Sequence, residues 1–171
     1  MTPSSVPRVE VLEWRALGPD AQAAVQRLEI SAQQVEFAGT TSRSVAASEA
    51  GDPAEVAGLA IRLEHDIVGW VVLKRGAAAP DWVERDAAVV SGLRIDVRHQ
   101  GRGIGSAALV EMARWVARRW PGTRRLTLRV DEGNTSGIRA YEKAGWVEVG
   151  ERRQGRVGLE RTMIVALGPD T

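Results

Sequence analysis

One stretch limits the possible folds more than any other: Val89–Ser106, VVSGLRIDVRHQGRGIGS. Its first half, with Val89, Val90, Leu93, Ile95 and Val97, has the β-branched content and partial alternation of a strand. Gln100-Gly101-Arg102-Gly103-Ile104-Gly105-Ser106 then sets three glycines at alternate positions, and an apolar stripe at helical spacing follows directly. Strand, glycine loop and helix in that order make an anion-binding device. The glycines let backbone N–H groups converge without Cβ obstruction, and the helix start adds unpaired N–H groups and a partial positive charge. Arg102 adds a full charge. A pyrophosphate suits such a loop.

Several readings of the loop compete. A Walker-type loop needs a lysine followed by Ser or Thr after its last glycine, and here Ser106 follows Gly105 with no lysine between. A dinucleotide fingerprint needs G-x-G-x-x-G, whereas Gly101, Gly103 and Gly105 give G-x-G-x-G. Asp131, near the end of the next expected strand, would then stand in for the ribose-binding acid. A plain strand-to-helix turn explains one glycine and leaves the other two, and the arginine between them, without a reason.

Gln100 to Gly105 resembles the Q/R-x-x-G-x-G/A signature of the GNAT superfamily of N-acetyltransferases. A second segment points the same way: Asn134 stands seven residues before Tyr141, which is followed by Glu142-Lys143-Ala144-Gly145-Trp146. That run resembles the superfamily's N-x6-Y-E-K-x-G-F segment. The two motifs together cover about residues 57 to 167. The resemblance implies a mixed α/β fold: a central, mostly antiparallel sheet of about seven strands flanked by helices, with the glycine loop and its helix after the fourth strand. It implies acetyl-CoA as co-substrate. Leu93, Arg94 and Ile95 would hold the acetyl group and pantetheine arm. Gln100, Gly101, Arg102, Gly103, Ile104, Gly105 and Ser106 would hold the pyrophosphate, and Asn134 would also touch the cofactor. Tyr141 would be the general acid.

Composition narrows the rest. At 171 residues with 44% hydrophobic content, one domain with a full core is expected, over 9–171 behind a flexible tail at 1–8. The 23 basic and 22 acidic residues leave a net charge of +1, which argues against a nucleic-acid partner. The absence of cysteine excludes disulfides, thiolate metal sites and a thiol nucleophile. With His65 and His99 far apart and unaccompanied, no metal site is expected. Met1 to Pro7 has no apolar run of signal-peptide length and no later segment approaches a membrane span, so a soluble cytoplasmic protein without a membrane partner is expected. The resemblance allows a homodimer.

In chain order, Val9 to Leu17 reads as a first strand and Ala21 to Ile30 as a helix begun by Asp20. Ala32 to Phe37 suggests a helical turn. Gly39 to Ser48, rich in Ser and Thr, reads as loop or a short irregular helix, in the region that lines the acceptor pocket in GNAT proteins. Leu59 to Glu64 and Ile67 to Leu73 form a hairpin about His65-Asp66. Ser106 to Trp120 places Leu109, Met112, Val116 and Trp120 on one helical face, and Pro121-Gly122 ends it. Arg125 to Val130 alternates as a strand. Asn134 caps a helix that ends near Gly145, and Trp146 to Val149 and Val157 to Leu167 close the chain as strands.

Amine acetylation by a thioester needs a neutral amine, a polarised carbonyl and a protonated leaving thiolate. Tyr141, the only tyrosine, has a phenol of ordinary pKa about 10 that can supply the last to a thiol of pKa about 8.5. The alternative is a packing role beside Ile138. Asn134 has a helix-capping role compatible with the other. For the base, polyamine acetyltransferases often carry a glutamate where Ser91 stands. Glu84, Asp86 and Asp96 are the nearby carboxylates, with Asp96 expected at a solvent-facing strand edge, and His99 is a surface-loop histidine or a base. Gln34 to Ser48, Ile95-Asp96 and Gly150-Glu151 most resemble the spermidine/diamine acetyltransferase branch. Its cationic acceptor requires an acidic pocket, for which Glu36, Glu49, Glu55, Glu84 and Asp86 are candidates. An antibiotic amine, a protein N-terminus and an acetyl-CoA sensor without turnover stay open.

Overall fold

The structure, a computed structural model, describes residues 6–168, so Met1–Ser5 of the expected tail and the last three residues lie outside it. Seven strands form one sheet in the order β1-β2-β3-β4-β5-β7-β6. They are β1 (Val9–Glu13), β2 (Val56–Leu63), β3 (Asp66–Lys74), β4 (Ala87–Ile95), β5 (Arg125–Asp131), β6 (Val147–Gln154) and β7 (Leu159–Ala166). Every neighbouring pair is antiparallel except β4 and β5. A parallel pair needs a crossover long enough to return the chain to the same end. Helix α4 (Ile104–Arg119) supplies it. The glycine loop and its helix thus follow the fourth strand, as expected.

The two faces of the sheet bury separate clusters. On one face Leu59, Ile61, Leu73, Val90, Leu126 and Leu128 pack with Leu109, Met112 and Val116 of α4 and with Trp120, its C-cap. On the other, Val56, Ala60, Trp70 and Val72 pack with Trp14, Val25 and Val45. That second layer is carried by α1 (Pro19–Gln26) and α3 (Thr41–Ala50). Gly58 makes room for it, because a Cβ there would lie 2.3 Å from Trp70 Cη2.

Two expectations for the N-terminal third are corrected. The first strand ends at Glu13 and continues as a single 3-10 turn, Trp14–Ala16, which swings Trp14 edge-on to Trp70 with centroids 5.5 Å apart. Residues 41–50 are a regular ten-residue helix, where loop or a short irregular helix was expected over Gly39 to Ser48. Its Ser and Thr act at the ends and on the buried side. Thr40 Oγ1 accepts from Arg43 N, Ser44 Oγ accepts from Trp70 Nε1 at 3.0 Å, and buried Ser48 donates to the Val45 carbonyl. Between these helices lies α2 (Ala32–Ala38), held by a capping box in which Ser31 Oγ accepts from Gln34 N and Gln34 Oε1 from Ser31 N. Helix α5 (Thr135–Lys143) precedes the β6–β7 hairpin. Among the described residues no helix is long and apolar enough to cross a membrane.

Candidate acetyl-CoA and acceptor site

The site is a parting between β4 and β5. The two strands pair only from Ala87–Val89 against Arg125–Thr127. The cause of the divergence is a bulge in β4. Trp70 stands opposite Arg94 and Val72 opposite Ser91, so Gly92 and Leu93 together face Val71 alone. Gly92 takes φ +64°, which glycine adopts without the steric strain of a Cβ. An added Cβ would lie 2.6 Å from Arg94 Nη2. Gly92→Ala is therefore expected to lose about 2–3 kcal/mol, from left-handed strain plus displacement of the arginine, and about 5–10 °C in Tm on thermal melting.

A cavity of about 360 Å³ lies along this parting and the loop. It is lined by Leu93, Ile95, Gln100, Gly101, Gly103, Ile104, Gly105, Ser106, Asn134 and Tyr141, which is the expected set apart from Arg94 and Arg102. Gly101 and Gly103 have φ +72° and +75°. Gly103 is the N-cap of α4 and offers no side-chain acceptor, so the first N–H groups of a sixteen-residue helix are left without a side-chain cap at the cavity wall. Gly105 has a different reason. It lies inside the helix, where a Cβ would project between Ala140 and Ile95, 3.8 and 4.0 Å away, at the edge of the same cavity. The Ser106 hydroxyl donates to the Ala140 carbonyl and ties α4 to α5. Gln100 turns back, its Nε2 donating to Ile95 O at 3.0 Å, and Gln34 Nε2 reaches the same carbonyl. Arg102 is exposed.

Arg94 points through the sheet to the opposite side. Its side chain is 1% exposed and donates from Nε to Gly92 O, from Nη1 to Gly39 O and from Nη2 to Ala38 O, each at 2.9 Å. Burial lowers its pKa to about 10. The guanidinium stitches the β4 bulge to the end of α2. Only the Arg94 backbone remains near the expected pantetheine path.

The carboxylates fall out differently from expectation. Asp96 is buried and not at a solvent-facing edge. It accepts from Glu29 N at 3.0 Å, Arg98 N at 3.0 Å, Arg98 Nε at 2.9 Å and Arg98 Nη2 at 2.8 Å. The Arg98 guanidinium, with the Glu29 and Arg98 amides, holds its carboxyl well below the usual range despite burial. Such a group does not take a proton near neutral pH. Glu84 and Asp86 face Arg125 at the other end of β4, at 4.0 and 3.0 Å. Glu49 accepts from Trp14 Nε1 and Glu55 from Ala78 N. Of the candidate acids for a polycation pocket, Glu49, Glu55, Glu84 and Asp86 are thus dispersed.

Tyr141 sits on α5 with Asn134 as the cap of the same helix: Asn134 Oδ1 accepts from Gly137 N at 3.1 Å. The tyrosine ring packs at a centroid distance of 5.8 Å from Trp146, with Ile138 in the same cluster. Burial pushes the phenol up to about 12, so it is protonated at any ordinary pH. Tyr141, Asn134, Leu93, Phe37 and Ala38 also line a second cavity, of about 110 Å³. Two carboxylates that sequence reading passed over as base candidates line it as well, Asp131 and Glu160. Asp131 Oδ1 accepts from Gly133 N at 2.8 Å, while its Oδ2 is buried without a protein partner. The available signal was strand alternation: Arg125, Thr127, Arg129 and Asp131 share one face of β5.

The sequence profile described as the acetyltransferase (GNAT) family matches residues 21–146, most of the chain. The chain belongs to that family. Family membership carries acetyl-CoA as acyl donor and N-acetyl transfer as the chemistry, and the dinucleotide reading of the glycine loop falls with it. Solved structures with the same fold include aminoglycoside acetyltransferase AAC(6')-Ib in complex with coenzyme A, at TM-score 0.71 and 16% identity over 93% of this chain and 95% of that one. Spermidine N-acetyltransferase from Vibrio cholerae in complex with CoA and spermine aligns at TM-score 0.69 and 14% identity over 93% and 95%. The GNAT domain of S. lividans PAT aligns at 0.67 and 23% over 94% and 90%. A search of curated proteins by sequence gave no match.

Proposed function

We propose that this acetyltransferase moves the acetyl group from acetyl-CoA to a primary amine of a small molecule by direct attack in a ternary complex. The observation that carries the reading is the shared wall of the two cavities. Leu93, Asn134 and Tyr141 line both the cavity along the glycine loop and the smaller one beyond it. In this reading the diphosphate lies on the N–H groups at Gly101–Ser106, and the pantetheine arm follows Leu93–Ile95 toward Tyr141. The thioester meets the amine at the junction.

The amine nitrogen attacks the acetyl carbon, the oxyanion collapses, the C–S bond breaks, and the phenol O–H protonates the departing sulfur. The amine's own proton leaves to Asp131, Glu160 or water. A phenol at about 12 is a weak acid in bulk terms. The thiolate is formed in the same water-poor junction, so its proton affinity is raised by the same desolvation and the transfer stays matched. Neighbours crystallised with spermine and with an aminoglycoside support an amine acceptor and name two amine classes to test first.

The test is amine-dependent thiol release from acetyl-CoA, combined with a CoA titration. Tight CoA binding with no release for any amine would convert the reading to that of a sensor. Gly103→Val is expected to weaken CoA binding at least about tenfold by calorimetry, because a β-branched residue resists the +75° φ that presents the loop amides. Unchanged affinity would remove the diphosphate from this loop.

A further inference from the structure

A third cavity, of about 660 Å³, adjoins the smaller one through Phe37, Ala38, Gly92 and Arg156, which line both. Its charged walls are Arg43, Lys74, Arg94 and Arg156, and no Asp or Glu lines it. Among the described residues none of these four forms an ion pair with a carboxylate. Arg94 gives three of a guanidinium's five N–H groups to backbone carbonyls, and Arg156 gives one to the carbonyl of Glu36. In a chain of net charge +1, four cations gathered round one acid-free basin is a local excess that the sequence balance hides. The carboxylates of the site, Asp131 and Glu160, lie instead on the Tyr141 side, in a cavity that Arg129 and Arg156 also line.

We infer that the acceptor is a small amine that also carries an oxyanion, a carboxylate or a phosphate. Its amine lies toward Asp131, Glu160 and Tyr141, and its oxyanion in the Arg43–Lys74–Arg94–Arg156 basin. This rests on the acetyl-transfer reading above and narrows its substrate. The polarity suits such a molecule at both ends. Guanidinium groups match planar oxyanions by paired donors, and a lysine adds a point charge. A polycation entering the same basin would meet like charges with no acid between them, which selects against it.

The test uses the whole chain, acetyl-CoA and matched acceptors: α- and ω-amino acids against their carboxamides, aminoalkyl phosphates against the parent amino alcohols, and spermidine. The best anionic amine is expected to exceed its neutral counterpart at least about 30-fold in kcat/KM. The amino-acid and phosphate arms tell which oxyanion it is. In Lys74→Ala and Arg43→Ala that ratio should fall below about threefold. Being a ratio within one protein, it does not move with partial misfolding. Preference for spermidine or for the neutral amines overturns the inference and leaves the acetyltransferase reading intact, as does an anionic preference that survives both substitutions. No turnover of any amine despite bound CoA overturns both.

Discussion

Tyr141→Phe is expected to lower kcat for amine acetylation by about 10²–10⁴-fold while leaving CoA affinity within about twofold. The substitution removes one hydroxyl from a ring otherwise held by packing against Trp146 and by its place in the core cluster with Ile138, so fold and cavity shape persist. What disappears is the proton for the leaving sulfur. Burial raises the phenol to about 12, and the protonated form is the active one, so loss of this acid should appear only as pH approaches that value. The wild-type rate should therefore rise with pH as the amine deprotonates, with no falling limb below about pH 11 caused by Tyr141. Steady-state kinetics from pH 6 to 10 on both proteins check this. A Phe variant with wild-type kcat would reduce Tyr141 to its packing role.

Asp96→Asn is expected to cost about 2–3 kcal/mol at pH 7, or about 5–10 °C in Tm. The amide keeps one acceptor but turns an N–H toward donors that now number four: Glu29 N, Arg98 N, Arg98 Nε and Arg98 Nη2. Arg98 is largely exposed, which tempers the ionic part, whereas the Glu29 and Arg98 amides are fixed by the backbone. The folded-state pKa lies below the ordinary 3.8, so the native state binds this proton later than the unfolded chain does. The stabilisation is fully present above about pH 4 and is lost as pH falls toward the folded-state value. The Tm gap between wild type and variant should narrow from pH 7 to pH 3, and a constant gap would refute the ionic account. Because the Glu29 amide leads into α2, which carries Phe37 and Ala38 to the cavities, the variant should also raise KM for the acceptor.

Local chemistry made much of this protein legible from its residues alone. Gly101, Gly103 and the apolar stripe of Leu109, Met112 and Val116 announce a strand, a loop and a helix start, because positive φ and helical periodicity are properties of neighbouring residues. Asn134 is recognisable as a cap for the same reason, since its acceptor is only three residues away. The mostly antiparallel sheet was implied by the resemblance of the two motifs to the family; residue alternation by itself marked the β2–β3 hairpin.

What escaped sequence reading depends on partners far along the chain. Asp96 reads as an edge residue until Glu29, sixty-seven positions away, supplies an amide that makes its burial tolerable. Arg94 reads as a cofactor contact until the carbonyls of Ala38 and Gly39 claim its guanidinium. Gly39 to Ser48 reads as loop or a short irregular helix because the helix at 41–50 draws its stability from packing Val45 beside Trp70 in a shared core, and propensity carries no record of that. The charge total of +1 conceals both the junction at Tyr141, where Asp131 and Glu160 stand with Arg129 and Arg156, and the acid-free basic basin beside it. Short-range geometry set the loop, the cap and the strands; where each charge came to rest was decided by tertiary contact, because a charge's energy depends on what surrounds it and not on its neighbours in sequence.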